Sequence, residues 1–271
     1  MPPLDLIPSP DAPIGLFDSG FGGFSVLLHL RAALPSEHFI YFADNAHLPY
    51  GDKDGSYIRA RAAAIGQFLL DQGCKAIVIA CNTATAAAAE TLRSMVTIPV
   101  IAIEPALKPA AMQSKTRKVG VLATEGTMRS ERMADLLSRF GQEVMVYQQA
   151  CPGLADQVEM GQCDAPETRA LLRRFLAPML EAGVDTIVLG CTHYPFLRRA
   201  ILNIAGDGVS LVDAGEAVAR QTLRRLAEIQ GLQKRDGRGA LQIYASAIRE
   251  HDDAQASTLL SAAVTVTPVA V

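Results

Sequence analysis

The sequence predicts an α/β protein made of two similar doubly wound parallel-sheet lobes in a pseudo-twofold relation, with a ligand cleft between them. Three observations predict it. Short apolar runs alternate with longer amphipathic stretches along the chain, the pattern of parallel strands joined by helices. Runs such as AIVIA (76–80) and TIVLG (186–190) are apolar throughout, as strands buried on both faces must be. Two segments 110 residues apart, DQGCKAIVIACNT (71–83) and EAGVDTIVLGCTH (181–193), align an acidic residue, a glycine, an Ile-Val pair, a small residue and a cysteine.

The elements follow in order. The proline-rich start lacks the basic patch and apolar stretch of a signal peptide and reads as a flexible leader over 1–13. Strands are expected over 14–17, 39–42, 76–79 and 100–103, then over 118–122, 143–147, 186–189 and 210–212. Amphipathic stretches over 56–72, 129–140 and 166–182 supply helices between them. IGLFDSG (14–20) and VGVLATEG (119–126) repeat a strand with an early glycine and a polar turn, at an offset of 105. The repeat divides the chain into a first lobe, 14–104, and a second, 105–212. After it come a helix over 215–230, a polar turn over 233–239 and a strand over 241–245, read as the tail (213–271) returning to the first lobe.

Composition narrows the function classes. The length, 271 residues, suits two lobes better than one core, and 49% hydrophobic with 20% charged residues is ordinary globular composition. A net charge of −3 argues against a nucleic-acid surface. No run approaches the roughly 18 apolar residues of a membrane span, so a cytoplasmic protein is expected. The five cysteines are odd in number and lack CxxC spacing, which speaks against a disulfide framework or a structural zinc site.

Cys81 and Cys191 each follow a buried strand and precede a helix start, on the sheet edge where open α/β proteins bind ligands. A helix N-terminus lowers a thiol pKa and offers N–H groups to a carboxylate. Alone, either cysteine would read as core filler. As a matched pair across a cleft they would approach one ligand from opposite sides: one thiolate removes a proton from carbon and the other thiol returns one to the opposite face. Asp18 and Ser19 end the first strand, and Gly20, Gly22 and Gly23 leave backbone open to a ligand. Asp18 reads as an ammonium ligand, a partner of a thiol or simply an N-cap. The G-x-G-G spacing does not fit a dinucleotide loop. His193, two residues after Cys191, reads as its acid–base partner or as a capping histidine. Cys74, Cys151 and Cys163 read as structural, and Glu159 by itself as a solvated helix carboxylate.

Together GLFDSGFGGFSVL, YFADNAHLPYG, IACNTATA, VLATEGTMRS, LGCTHYPFL and the softer VDAGEAVARQT, in this order between residues 15 and 222, resemble the bacterial glutamate racemase family. The resemblance implies two α/β lobes around one site, no pyridoxal phosphate, metal or other cofactor, and interconversion of L- and D-glutamate. It implies that Cys81 handles the α-proton of the D isomer and Cys191 that of the L isomer. Asp18 and His193 would assist them, with Glu159 beside His193. Ser19, Tyr50, Gly51, Asn82, Thr83 and Thr192 would bind substrate, with Asp18, His193, Thr124 and Thr127 in support. A homodimer supplying D-glutamate for peptidoglycan, and so for cell shape, is also implied. Ala43, Asn45, His47 and Thr85 depart from the usual pattern, and Ser25 replaces a common threonine. The alternatives are a racemase of the same kind acting on aspartate or a hydantoin, a thiol hydrolase using Cys191 and His193, and a binding protein on the same fold.

Overall fold

A computed structural model describes residues 9–233 and 236–271 of the protein. Two separate parallel sheets form. The first contains β1 (Ile14–Asp18), β2 (Phe39–Ala43), β3 (Ala76–Ile79) and β4 (Val100–Ala102). The second contains β5 (Lys118–Ala123), β6 (Met145–Ala150), β7 (Thr186–Leu189) and β8 (Ser210–Val212). The tail adds β9 (Leu241–Ala245) and β10 (Val266–Pro268) to the outer edge of the first sheet, beyond β2. The strand orders are β10-β9-β2-β1-β3-β4 and β6-β5-β7-β8. Removing the tail strands leaves the same order in both: second, first, third, fourth. The repeat seen in the sequence is therefore a repeat of topology.

The helices that cover these sheets are α1 (Phe24–Ala33), α2 (Gly55–Asp71), α3 (Asn82–Met95), α4 (Leu107–Gln113), α5 (Glu125–Met128) and α6 (Glu131–Phe140). They continue with α7 (Leu154–Glu159), α8 (Pro166–Glu181), α9 (Arg198–Ala205), α10 (Gly215–Glu228) and α11 (Asp252–Leu260). Local sequence explains their ends. Asp54 caps α2 by accepting from Ser56 N at 2.7 Å, Ser130 caps α6, and Pro166 opens α8 where no N–H is needed.

Side chains alternate across each strand, so each sheet feeds two cores. Phe17, Ile77 and Ile79 pack under α2 and α3 with Ile58, Ile65, Leu69 and Leu92. Leu16 and Val78 point the other way, into a core that also holds Val119, Val121 and Val188 of the second sheet. Leu122, Ile187 and Leu189 face α8 with Leu172, Phe175 and Leu176. The middle core is common to both sheets and holds their carboxyl edges together around one site.

Expectation and structure differ in a few places. The strand expected over 143–147 begins at Met145, where Met145 N donates to the Arg117 carbonyl at 2.7 Å and starts the register with β5. The tail contains a helix and a strand, α11 and β10, that the pattern did not signal. β10 is a three-residue edge strand, the place where a sheet tolerates Pro268. Residues 1–8 of the expected leader and 234–235 of the expected turn lie outside the described residues. Residues 9–13 are pinned: Lys75 donates from Nζ to the Pro10 carbonyl and from N to that of Pro13.

The tail strand docks through Gly239, whose N donates to the Pro35 carbonyl at 2.8 Å. A Cβ there would overlap the Glu37 carbonyl, which is backbone and cannot swing away. Gly239→Ala should lower the unfolding free energy by about 1–3 kcal/mol in urea titrations. Gly208→Ala, where an added Cβ meets no atom within 4 Å, should change it by less than about 0.5 kcal/mol.

Candidate active site

In both sheets the first and third strands lie side by side and their connections diverge, a topological switch point at which the carboxyl edge opens into a crevice. In the first sheet this places Asp18, at the end of β1, beside Cys81, just past β3. In the second it places Thr124, just past β5, beside Cys191, just past β7. The two crevices meet in one cavity. Cys81 and Cys191 both line it, with Ser19, Tyr50, Gly51, Asn82 and Thr83 from the first half. Thr124, Thr127, Thr192 and His193 line it from the second. Leu48, Pro49, Ala155 and Gly190, which sequence reasoning did not single out, complete the wall.

The thiols have unlike neighbours. Cys81 is the N-cap of α3, and its Sγ accepts from Ala84 N at 3.4 Å. The expected lowering of its pKa by the helix N-terminus does not prevail. Burial pushes the thiol well above its usual range and the Asp18 carboxylate adds to this, outweighing the single N–H. Cys191 has no α-helix immediately after it, only a 3-10 turn over Tyr194–Leu197. Its neighbour is His193, with Sγ and Nδ1 3.6 Å apart.

Asp18 is completely buried under the cavity. Its Oδ2 accepts from Thr192 Oγ1 at 2.8 Å and its Oδ1 from Ser19 N at 2.6 Å. Burial raises its pKa, and His193 and these hydrogen bonds offset only part of that. The Asp18 carboxyl, biased toward protonation, is the charged group that acts on the Cys81 thiol.

Glu159 is not a solvated helix carboxylate; it is 5% exposed, at the end of α7 and behind His193. Its Oε1 accepts from His193 Nε2 at 2.8 Å and from Phe21 N, in the first half, at 2.6 Å. Burial alone would lower the His193 pKa, but the hydrogen bonds to Cys191 and Glu159 raise it well above the usual imidazole range. Burial alone would raise that of Glu159, but His193, Phe21 N and Arg249 hold it below the usual range. The glycine turn after β1 serves this pair rather than a ligand: a Cβ on Gly20 would overlap Glu159, and one on Gly22 would overlap the His193 ring.

Further hydrogen bonds join the halves around the cavity. Thr83 Oγ1 lies 2.9 Å from Thr124 Oγ1 and 3.2 Å from Thr127 Oγ1. Ser25 Oγ sits 2.8 Å from the Thr192 carbonyl, so its hydroxyl is a cross-half contact. Tyr50 donates to Asp44 Oδ2 at 2.6 Å, and Arg61 grips the same carboxylate from Nε and Nη2. Asp44, Arg61 and Arg249 were missed because each acts through another residue and none stands in a motif of chemical meaning. Cys74 is buried under α2, and burial pushes its thiol up to about 12. Cys151 is buried beside α8 and Cys163 is partly buried; neither lines the cavity. Among the described residues no three His, Cys, Asp or Glu side chains converge as metal ligands, and no helix is long and apolar enough to cross a membrane.

The pair makes stability depend on pH with a definite sign. Glu159, lowered from 4.5, stabilises the fold above that value and ceases to as pH falls through its folded pKa. His193, raised from 6.5, stabilises it below that value and ceases to as pH climbs through its folded pKa. The stability difference between the wild type and Glu159→Gln, from urea midpoints, should therefore be greatest between about pH 4.5 and 6.5 and shrink on either side.

Comparison with known proteins identifies relatives of this chain and of its fold. Residues 25–222 match the model of the Asp/Glu/Hydantoin racemase family. The glutamate racemase of Methylococcus capsulatus (strain Bath) is 56% identical over 220 residues, covering 81% of each chain. Escherichia coli glutamate racemase, solved with L-glutamate and the activator UDP-MurNAc-ala, superposes with a TM-score of 0.84 at 32% identity, over 96% of this chain and 98% of that one. The Francisella tularensis enzyme, solved with D-glutamate, gives a TM-score of 0.84 at 29% identity over the same shares. The chain thus belongs to the Asp/Glu/Hydantoin racemase family and, within it, to the glutamate racemases.

Proposed function

We propose that this racemase interconverts L- and D-glutamate with Cys81 and Cys191 as paired base and acid on opposite faces of the α-carbon. One observation carries the reading: the equivalent strand of each half delivers a thiol to the same cavity, each beside its own proton-handling group. The Cys81 thiolate takes the α-proton of D-glutamate while the Cys191 thiol gives its proton to the opposite face. L-glutamate leaves with Cys81 protonated and Cys191 as thiolate, and the reverse reaction exchanges the roles. No cofactor enters these steps.

Asp18 keeps the Cys81 proton in exchange, and His193 does so for Cys191, with Glu159 orienting the imidazole. The buried Oδ1 of Asn82 has no hydrogen-bond partner among the described residues and is an acceptor for the substrate ammonium. The backbone N–H groups of Gly51, Thr83 and Thr192 suit the carboxylates, and the Ser19 hydroxyl can turn to them from Asp18; Tyr50, Thr124 and Thr127 shape the wall. We read the lobes as 14–104 with 213–271, and 105–212. A cytoplasmic homodimer that supplies D-glutamate for peptidoglycan, and thereby supports cell shape, completes the proposal.

The test is proton NMR with polarimetry on chelator-treated protein and L-glutamate in D₂O. Loss of the α-proton signal together with optical rotation is expected. Turnover of aspartate or a hydantoin instead would change the substrate, and inactivity of folded, reduced protein with all of them would leave a binding role. Cys81→Ser and Cys191→Ser should each lower kcat by at least about 10²–10⁴-fold, and Cys74→Ser should leave it unchanged. Normal turnover by Cys81→Ser would refute the two-thiol mechanism.

A further inference from the structure

The chain's tail reaches the site from behind. Arg249, in the loop between β9 and α11, donates from Nη2 to Glu159 Oε2 at 3.1 Å. Asp252, 2% exposed at the start of α11, fixes the arginine: its Oδ2 accepts from Arg249 N at 3.0 Å and its Oδ1 from Arg249 Nε at 2.9 Å. Asn45 donates to the same carboxylate at 3.2 Å, and Gln255 to the Val158 carbonyl, next to Glu159, at 2.6 Å. The tail that completes the first sheet is thereby fastened to the helix of the second half that carries Glu159.

We propose that Arg249 is a positioning residue for proton handling at Cys191: it holds the outer oxygen of Glu159 and, through that carboxylate, sets the orientation and proton affinity of His193. The inference rests on the reading that His193 serves Cys191. Phe21 N and His193 share Oε1, so Arg249 is the donor that stops the carboxylate from turning about them. It also takes part of the carboxylate charge. Without it that charge falls more fully on His193, and the pair binds its shared proton more tightly. A coupled pair titrates as a unit, so this sign does not depend on which member carries the proton.

The other charged and titratable groups around the pair do not reverse the sign. Asp18 and Cys191 act on His193 from the cavity side and Cys163 from beyond α7, and all are untouched by a change at Arg249. Tyr41, buried near Glu159, holds its proton. Asp252, left without its arginine, adds negative charge and pushes the same way. Because the Arg249 side chain is 46% exposed, water moderates the effect.

The test uses full-length protein with ¹³C,¹⁵N-labelled histidine, the His193 ring assigned by His193→Asn and followed by NMR against pH. In Arg249→Gln the His193 midpoint should rise by about half a unit, and kcat should fall several-fold with KM little changed. Arg249→Lys, which keeps the charge, should restore the midpoint. Should Arg249→Gln fail to fold, Arg249→Met carries the same expectation. An unmoved midpoint overturns the inference whatever happens to kcat, because lost packing alone slows turnover without moving it. Full racemisation by Cys191→Ser would instead remove the reading beneath it. Inactive Cys191→Ser with an unmoved His193 midpoint would remove this inference alone.

Discussion

One buried carboxylate organises the cavity face of this protein. Glu159 is almost wholly withdrawn from water, and an ion in that position costs several kcal/mol unless donors surround it. Its donors come from three distant parts of the chain: the turn after β1, the segment after β7 and the loop before α11. None of the three can be displaced without leaving charge uncompensated. The ionisation of one side chain is therefore coupled to the docking of both halves and of the tail. The glycines at 20 and 22 belong to the same constraint, since a side chain at either would occupy the space of Glu159 or His193.

The repeated strand order explains why the site exists where it does. Parallel sheets with helices on both faces leave one exposed functional edge, and here two such edges face each other across a shared apolar core. A thiol past the third strand of each half then arrives at the same cavity without any special loop. The repeat constrains backbone, not environment. Cys81 caps a fourteen-residue helix and sits against a carboxyl, while Cys191 stands ahead of a short 3-10 turn and against an imidazole.

Much of this was legible in the sequence. The strands at β3, β7, β8 and β9 coincide with the apolar runs, and the duplicated cysteine segments marked both thiols, because burial on two faces and a fixed turn chemistry leave strong local signals. What was illegible acts at a distance. Nothing near Glu159 announces its burial, which is imposed by Phe21, 138 positions earlier, and by His193, 34 positions later. Arg249 sits in a charged stretch, AIREHDD, with no pattern that separates a buried-site partner from a surface cation. The raised Cys81 thiol was misjudged for a related reason: the helix start is local and visible, but the neighbouring Asp18 arrives from another strand.

The unlike surroundings of the two thiols meet a rule that no arrangement of residues can evade. The two enantiomers of an amino acid have equal free energy in water, so the equilibrium constant between them is unity, and kcat/KM must be the same in both directions. Under the proposed two-thiol mechanism, an acid–base system as lopsided as Asp18 on one side and the His193–Glu159 pair on the other therefore cannot make the enzyme favour either product. Its asymmetry can appear only in how each direction divides between saturation and turnover, and in which of two proton arrangements the empty enzyme adopts between catalytic cycles. The protein has one scaffold repeated but two chemistries beside it, and detailed balance confines the difference between them to the free enzyme and its complexes.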